Sequence, residues 1–290
     1  MLEGDTLSAA SSCSGVRTST CNSAASRSAE GAAAVISDRL ARALYPDESP
    51  VGKSITLDGT GTFASILASL TTGIIINAQP TDVITIRGLS INGFCNGIRG
   101  INIIQAKTVN IEDCVIFRFA GDGITSTDAN GLNLNIRETV IRDNGGDGIN
   151  VLASTASVAN LARVTLDHVR FSGNVNGVHA RSGAVVSAHN SVFSGNSSAG
   201  LFADNVVGAS FAVIRVRESQ ITGNGTGVQA GSGGGVADSV VEISQNLINF
   251  NTGNGVLVSV GGLVQTFSNN DIQGNGTNNC PGCTPSGPGQ

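Results

Sequence analysis

Tryptophan is absent from this chain, tyrosine and methionine occur once each, and charged residues make up 13%. The missing aromatics exclude a globule whose centre is filled by large rings. The scarcity of charge, with 16 Lys and Arg against 21 Asp and Glu and a net charge of −5, leaves no basic stripe for nucleic acid. No apolar run reaches the roughly 20 residues of a membrane span. The opening MLEGDTLSAASSCSG lacks a basic segment followed by an apolar one, so no signal peptide is expected. The six cysteines, Cys13, Cys21, Cys95, Cys114, Cys280 and Cys283, are too sparse for the disulfide framework of a small secreted domain.

Present instead are Val, Ile, Ala and Leu among many Asn, Ser and Thr, with 39 glycines. That mixture suits a narrow core repeated many times with polar turns between repeats. The repeat is visible directly. ITIRGLSI (84–91), VNIEDCVI (109–116), LNIRETVI (134–141), VTLDHVRF (164–171), VSAHNSVF (186–193), IRVRESQI (214–221) and VEISQNLI (241–248) share the template apolar-x-apolar-x-x-x-x-apolar. QTFSNNDI (265–272) follows with Gln265 in the first apolar place. Alternation at the start is the period of a half-buried strand, and the break after it reads as a turn into another strand. A Gly-apolar-x motif precedes each template, as in GINV (148–151) and GVHA (177–180). An Asn closes each coil: Asn144, Asn174, Asn196, Asn224, Asn251 and Asn275, spaced 30, 22, 28, 27 and 24 residues apart.

A coil this thin cannot bury its own apolar face, so coils must stack, with strands pairing in parallel about 4.8 Å apart. The expectation is an all-β, right-handed, single-stranded parallel β-helix of about nine coils over residues 53–278. Ile111, Ile136, Leu166, Ala188, Val216, Ile243 and Phe267 are expected in one inward column. The closing asparagines are expected to form an amide ladder. Residues 1–32, rich in Ser and Ala, read as a disordered tail. Residues 33–45, AAVISDRLARALY, read as an amphipathic helix capped by Ser37 and stopped by Pro46. This helix and its linker (33–52) would close the open first edge. Residues 279–290 read as a flexible tail.

Two resemblances follow from these residues. VISDRLARALYPDESPVGKSI (35–55) resembles a periplasmic stretch of exporter-type ABC permeases, which implies a recombined N-terminus joined near residue 52. From KSITLDGTGTFASIL onward the chain resembles bacterial right-handed β-helix proteins of the pectin-lyase-like superfamily. That resemblance implies a secreted or surface protein acting on or binding a polysaccharide. The polygalacturonase and pectin methylesterase motifs are absent. VTLDHVRFS (164–172) is similar to the Val-Trp-Ile-Asp-His segment of pectate lyases, with the Trp lost and no acidic partners stacked on Asp167.

Chemistry is sought on outward columns. Arg87, Glu112, Arg137, Asp167, His189, Arg217 and Ser244 are expected to stack, beside Asn110, Asn135, Thr165, Ser187, Arg215 and Glu242. Asp167, Ser187 and His189 then share a patch with the ingredients of nucleophilic acyl transfer on a small ester or lactone. The lyase resemblance implies a different use, with Asp167 holding a cation and Arg217 acting as base; His168 lies in the turn beside them. An ordinary ladder of alternating charge is the third reading. Asp122 and Asp147 should stack near Asn176, with Asp143 close in sequence, as oxygen ligands for Ca²⁺. Cys114 reads as a small core residue. The lone Cys280-x-x-Cys283 lacks the second pair of a zinc site. His179, outward but far from His168 and His189, excludes a three-histidine metal centre. Three functions compete: polysaccharide binding or cleavage, ester or lactone hydrolysis, and a non-catalytic structural or adhesive role.

Overall fold

The computed structural model describes residues 54–128, 130–153, 160–205, 211–231, 238–267, 269–277 and 280, together with the short strands Ala34–Ser37 and Thr284–Pro285. It is a right-handed parallel β-solenoid of about eight complete turns built from three parallel sheets. Sheet B carries the template strands, from Ser54–Asp58 through Ala162–Asp167 and Ala184–His189 to Gly262–Thr266. The chain then passes to sheet C, for example Arg170–Ser172, and to sheet A, for example Asn176–Arg181, before returning to B one coil on. No described helix is long and apolar enough to cross a membrane.

The inward column of sheet B pairs in the expected order from Ile111 through Ile136, Leu166, Ala188 and Val216 to Ile243. At the last step Thr266, not Phe267, meets Ile243, because Val264 pairs with Val241 and the final coil holds one extra residue before Ile272 meets Ile248. Ile, Val, Ala and Leu fill the tube, and the stacked rings of Phe171 and Phe193, 5.1 Å apart, replace the missing larger aromatics. Gly148 marks how closely coils approach: a Cβ there would sit 2.5 Å from the Gly177 carbonyl oxygen and 2.8 Å from the Phe171 ring.

Two side-chain ladders lock the coils in register. At the C-to-A turn the amide of Asn144 donates to Asn174 Oδ1 at 2.9 Å, Asn174 to Asn196 at 3.3 Å, and Asn196 to Asn224 at 2.8 Å. Asn224 donates to Asn251 at 3.0 Å and Asn251 to Asn275 at 2.8 Å. Each acceptor oxygen also takes the backbone N–H of the preceding ladder residue. At the B-to-C turn the hydroxyl of Ser191 accepts from Val169 N–H, that of Ser219 from Ser191 N–H, and Asn246 Oδ1 from Ser219 N–H. The residue before each of these positions has a positive φ, as at His168, Asn190 and Glu218, and makes the sharp corner. Cys114 occupies the same turn, buried and free as expected, and burial pushes its thiol pKa up.

The ends differ from expectation. Ala34–Ser37 is a strand, not the start of a helix: it pairs in parallel with Ile74–Asn77 at the open edge of sheet A. An apolar, β-branched Ala-Val-Ile-Ser segment beside unpaired backbone groups completes the sheet more readily than it forms a helical turn. The rest of the expected helix and the permease-like stretch lie outside the described residues, as do residues 1–32. At the other end Thr284–Pro285 pairs with Gln265–Thr266, and Cys280 is disulfide-bonded, as is Cys95.

Asn196→Ala removes one donated and two accepted hydrogen bonds from the buried ladder and is expected to cost about 2–3 kcal/mol in urea unfolding. Cys114 is expected to resist iodoacetamide in the folded protein at pH 8 and to react fully in urea, read by peptide mapping.

Candidate functional site

Parallel pairing places the outward residues of sheet B in the expected columns. Arg137, Asp167, His189, Arg217 and Ser244 follow one another on adjacent strands, beside Asn135, Thr165, Ser187, Arg215 and Glu242. The N-terminal half of the first column is a ladder of alternating charge. Glu112 lies between Arg87 and Arg137, at 3.5 and 4.0 Å, and Arg87 reaches Asp58 at 3.9 Å. Hydrogen bonds from the Thr60 hydroxyl and backbone hold the Asp58 carboxyl below its ordinary pKa.

Asp167 sits between two imidazoles, with His168 Nδ1 at 2.8 Å and His189 Nδ1 at 3.7 Å. His189 Nε2 lies 2.7 Å from Glu218 Oε2, and its Nδ1 lies 3.0 Å from the Asn190 amide. Both ring nitrogens are therefore engaged, and no hydrogen bond joins His189 to Ser187 among the described residues. Positions i and i+2 share a face but lie about 6.7 Å apart along the strand, and the ring leans to the next turn. The hydroxyl and its intended base share a patch without forming a nucleophilic pair. Arg217 is exposed and lies two strands from Asp167, about 9.6 Å by strand spacing, with His189 on the strand between them.

Sheet B also presents guanidinium groups. Arg137, Arg163, Arg215 and Arg217 point outward from three strands spanning four successive coils. Arg215 is paired to Glu242 through two hydrogen bonds, at 2.8 and 3.3 Å. Arg163 and Arg217 have no carboxylate within ion-pair distance among the described residues.

On sheet A, Asp122 and Asp147 stack as expected. Asp122 Oδ1 accepts the Asp147 backbone N–H at 2.8 Å, and Asp147 Oδ1 accepts the Asn176 side-chain amide at 2.7 Å. Asp143 does not join them: it occupies a positive-φ corner and pairs with Arg142. Turn geometry separates it from Asp147 despite their closeness in sequence, and no three described His, Cys, Asp or Glu side chains are grouped to hold a metal. Asp122 Oδ2 is taken by Thr125 and Asn150 instead.

The sequence reading missed two partners. Glu218 lies at the corner after Arg217, where the turn residues form a column of their own. Asp204 lies two residues beyond Phe202 and pairs in register with Arg181. On this face His179 is largely buried, stacked on Phe202 with ring centroids 4.6 Å apart. Its Nδ1 is 2.9 Å from Asp147 Oδ2, and its Nε2 faces Asp204 Oδ2 at 3.8 Å.

These features define a right-handed parallel β-helix protein with outward polar columns on two faces. The family model described as right handed beta helix region matches residues 52–193. The A-module of the mannuronan C-5 epimerase AlgE4 of Azotobacter vinelandii is similar in structure, at 15% identity over 89% of this chain and 91% of that one, with a TM-score of 0.43. No curated protein sequence matches the chain.

Glu112→Gln is expected to lower stability by less than about 1 kcal/mol, with the difference shrinking as salt rises, read by urea unfolding at low and high ionic strength.

Proposed function

We propose that this protein is an extracellular-type β-helix that binds an anionic polysaccharide along the outward face of sheet B. The observation that carries the reading is the pair of exposed guanidinium groups, Arg163 and Arg217, without carboxylate partners in an otherwise charge-paired face. A guanidinium presents donors in a planar fork that suits a carboxylate such as that of a uronate sugar. Between them, Thr165 and Ser187 offer hydroxyls to sugar oxygens. Successive strands repeat such groups about every 4.8 Å, so a chain lying along the helix axis meets a polar side chain at each coil. The disulfides at Cys95 and Cys280 support an oxidising, extracellular setting. The ester or lactone reading is weaker, because Ser187 has no base in contact. A calcium requirement has little support from the carboxylates of Asp122 and Asp147, whose oxygens are already engaged by neighbouring groups.

Affinity electrophoresis in gels containing a polyuronate tests the reading. Wild type should be retarded, neutral glucans should have no effect, and retardation should weaken as salt rises. The double variant Arg163→Ala/Arg217→Ala should lose about tenfold or more in affinity without a change in melting temperature. Equal mobility in the presence and absence of polyuronate would overturn the proposal. Ser187→Ala and His189→Ala are expected to leave any nitrophenyl ester turnover at background.

A further inference from the structure

The sheet A cluster poses a separate problem. Asp147 and Asp204 are both buried at 7% exposure, and the imidazole between them is nearly so. Buried charges are ordinarily paired, hydrogen-bonded or bound to a metal. Asp147 meets that condition through Asn176 and His179. Asp204 does not: its side chain is 9% exposed, its Oδ1 has no hydrogen-bond partner, and neither has His179 Nε2. The 3.8 Å between Nε2 and Oδ2 is too long for a direct hydrogen bond. Arg181, on the strand beside Asp204, makes no ion pair within 4 Å among the described residues, and its own Nε is buried without a partner. Asp122, one coil below Asp147, adds a further negative charge to the face.

We propose that His179 Nε2 and Asp204 form a binding site for a borderline divalent cation of the Zn²⁺ class. Bonds of about 2.0–2.2 Å to nitrogen and oxygen put two such ligands roughly 3.4 Å apart at a tetrahedral angle and about 3.8 Å apart at a wider one. The observed separation falls in that range. Imidazole with carboxylate is a donor set suited to zinc and its neighbours in the transition series. The contact from Nδ1 to Asp147 is the outer half of the arrangement, because a carboxylate on the far nitrogen fixes the tautomer that leaves Nε2 free to coordinate. Phe202, stacked on the ring, holds its orientation. Among the described residues the protein supplies two ligands, one fewer than an open catalytic zinc site, and water fills the remaining positions. It is distinct from the sheet B face and does not depend on polysaccharide binding there.

The experiment is titration of untagged, chelator-treated full-length protein with Zn²⁺ by calorimetry, and with Co²⁺ by visible absorption. One equivalent should bind, a nitrogen-ligated Co²⁺ band should appear, and saturating Zn²⁺ should raise the melting temperature by about 5 °C at a hundredfold excess over Kd. His179→Gln and Asp204→Asn should each weaken binding at least a hundredfold, and Asp147→Asn by about 10- to 100-fold. The Co²⁺ spectrum of the wild type tests ligation even where a variant folds poorly, as judged by far-UV circular dichroism. Absence of saturable binding by either ion would overturn the proposal. So would unchanged affinity in folded His179→Gln, or a melting temperature that ignores metal.

Discussion

The whole molecule depends on each coil meeting the next in a single register. Parallel backbone pairing alone does not fix that register, because strands can slide along one another. A slip of one residue would turn every inward Ile or Val of sheet B to solvent. The buried asparagine ladder prevents it. Each Asn Oδ1 accepts from both the backbone and the side chain of the neighbouring Asn, so displacement by one position breaks two buried hydrogen bonds at that step. The Ser and Asn ladder at the opposite corner imposes the same constraint from the B-to-C turn. Coil length then becomes free to vary between the corners, and the repeat spacing is correspondingly irregular.

A fixed register turns sequence positions far apart into columns, and the two polar faces use this differently. On sheet B the columns are solvated. Their ion pairs, such as Glu112 with Arg87 and Arg137, are long and screened, and contribute little to stability. Residues there are free to be chosen for what they present outward. On sheet A the carboxylates of Asp147 and Asp204 are buried and that of Asp122 is half-buried, so their oxygens require compensating partners. Asp122 and Asp147 are satisfied by amides, hydroxyls and backbone N–H groups from adjacent coils, whereas Asp204 has an oxygen left over. The same kind of residue is therefore energetically minor on one face and demanding on the other.

This contrast explains which parts of the structure were legible in the sequence. Period-two alternation and a recurring Asn gave the strands, columns and ladder, because those depend on local pattern and spacing alone. The pairing of Asp167 with His189 follows from the template positions, and the structure agrees. Whether side chains in one column touch the intended partner depends on rotamers and corners. Ser187 and His189 share a face, yet the imidazole turns to Glu218 across a turn that the template treats as spacer. Asp143 looked close to Asp147 along the chain, but a left-handed corner at Asp143 directs it to Arg142. Ala34–Ser37 carried helical spacing, and only the presence of an unpaired sheet edge decides for a strand. The one-residue insertion before Ile272 hid behind the polar Gln265 and displaced Phe267 from its expected column.

His179 shows why burial must be known before a polar residue is weighed. Its position is as plainly outward as that of His189, since both alternate with core residues on their strands. At His189 the carboxylates compete with water for a half-exposed ring. At His179 water is largely excluded, Phe202 covers one ring face, and Asp147 sets the orientation of the other nitrogen. Few arrangements remain, and Nε2 faces a buried carboxylate across 3.8 Å. A gap bounded by two electron-rich atoms is unfavourable when empty and favourable when a positive species fills it. The proposed cation would fill that gap on sheet A, whereas the ion pairs of sheet B are solvated and need no such partner.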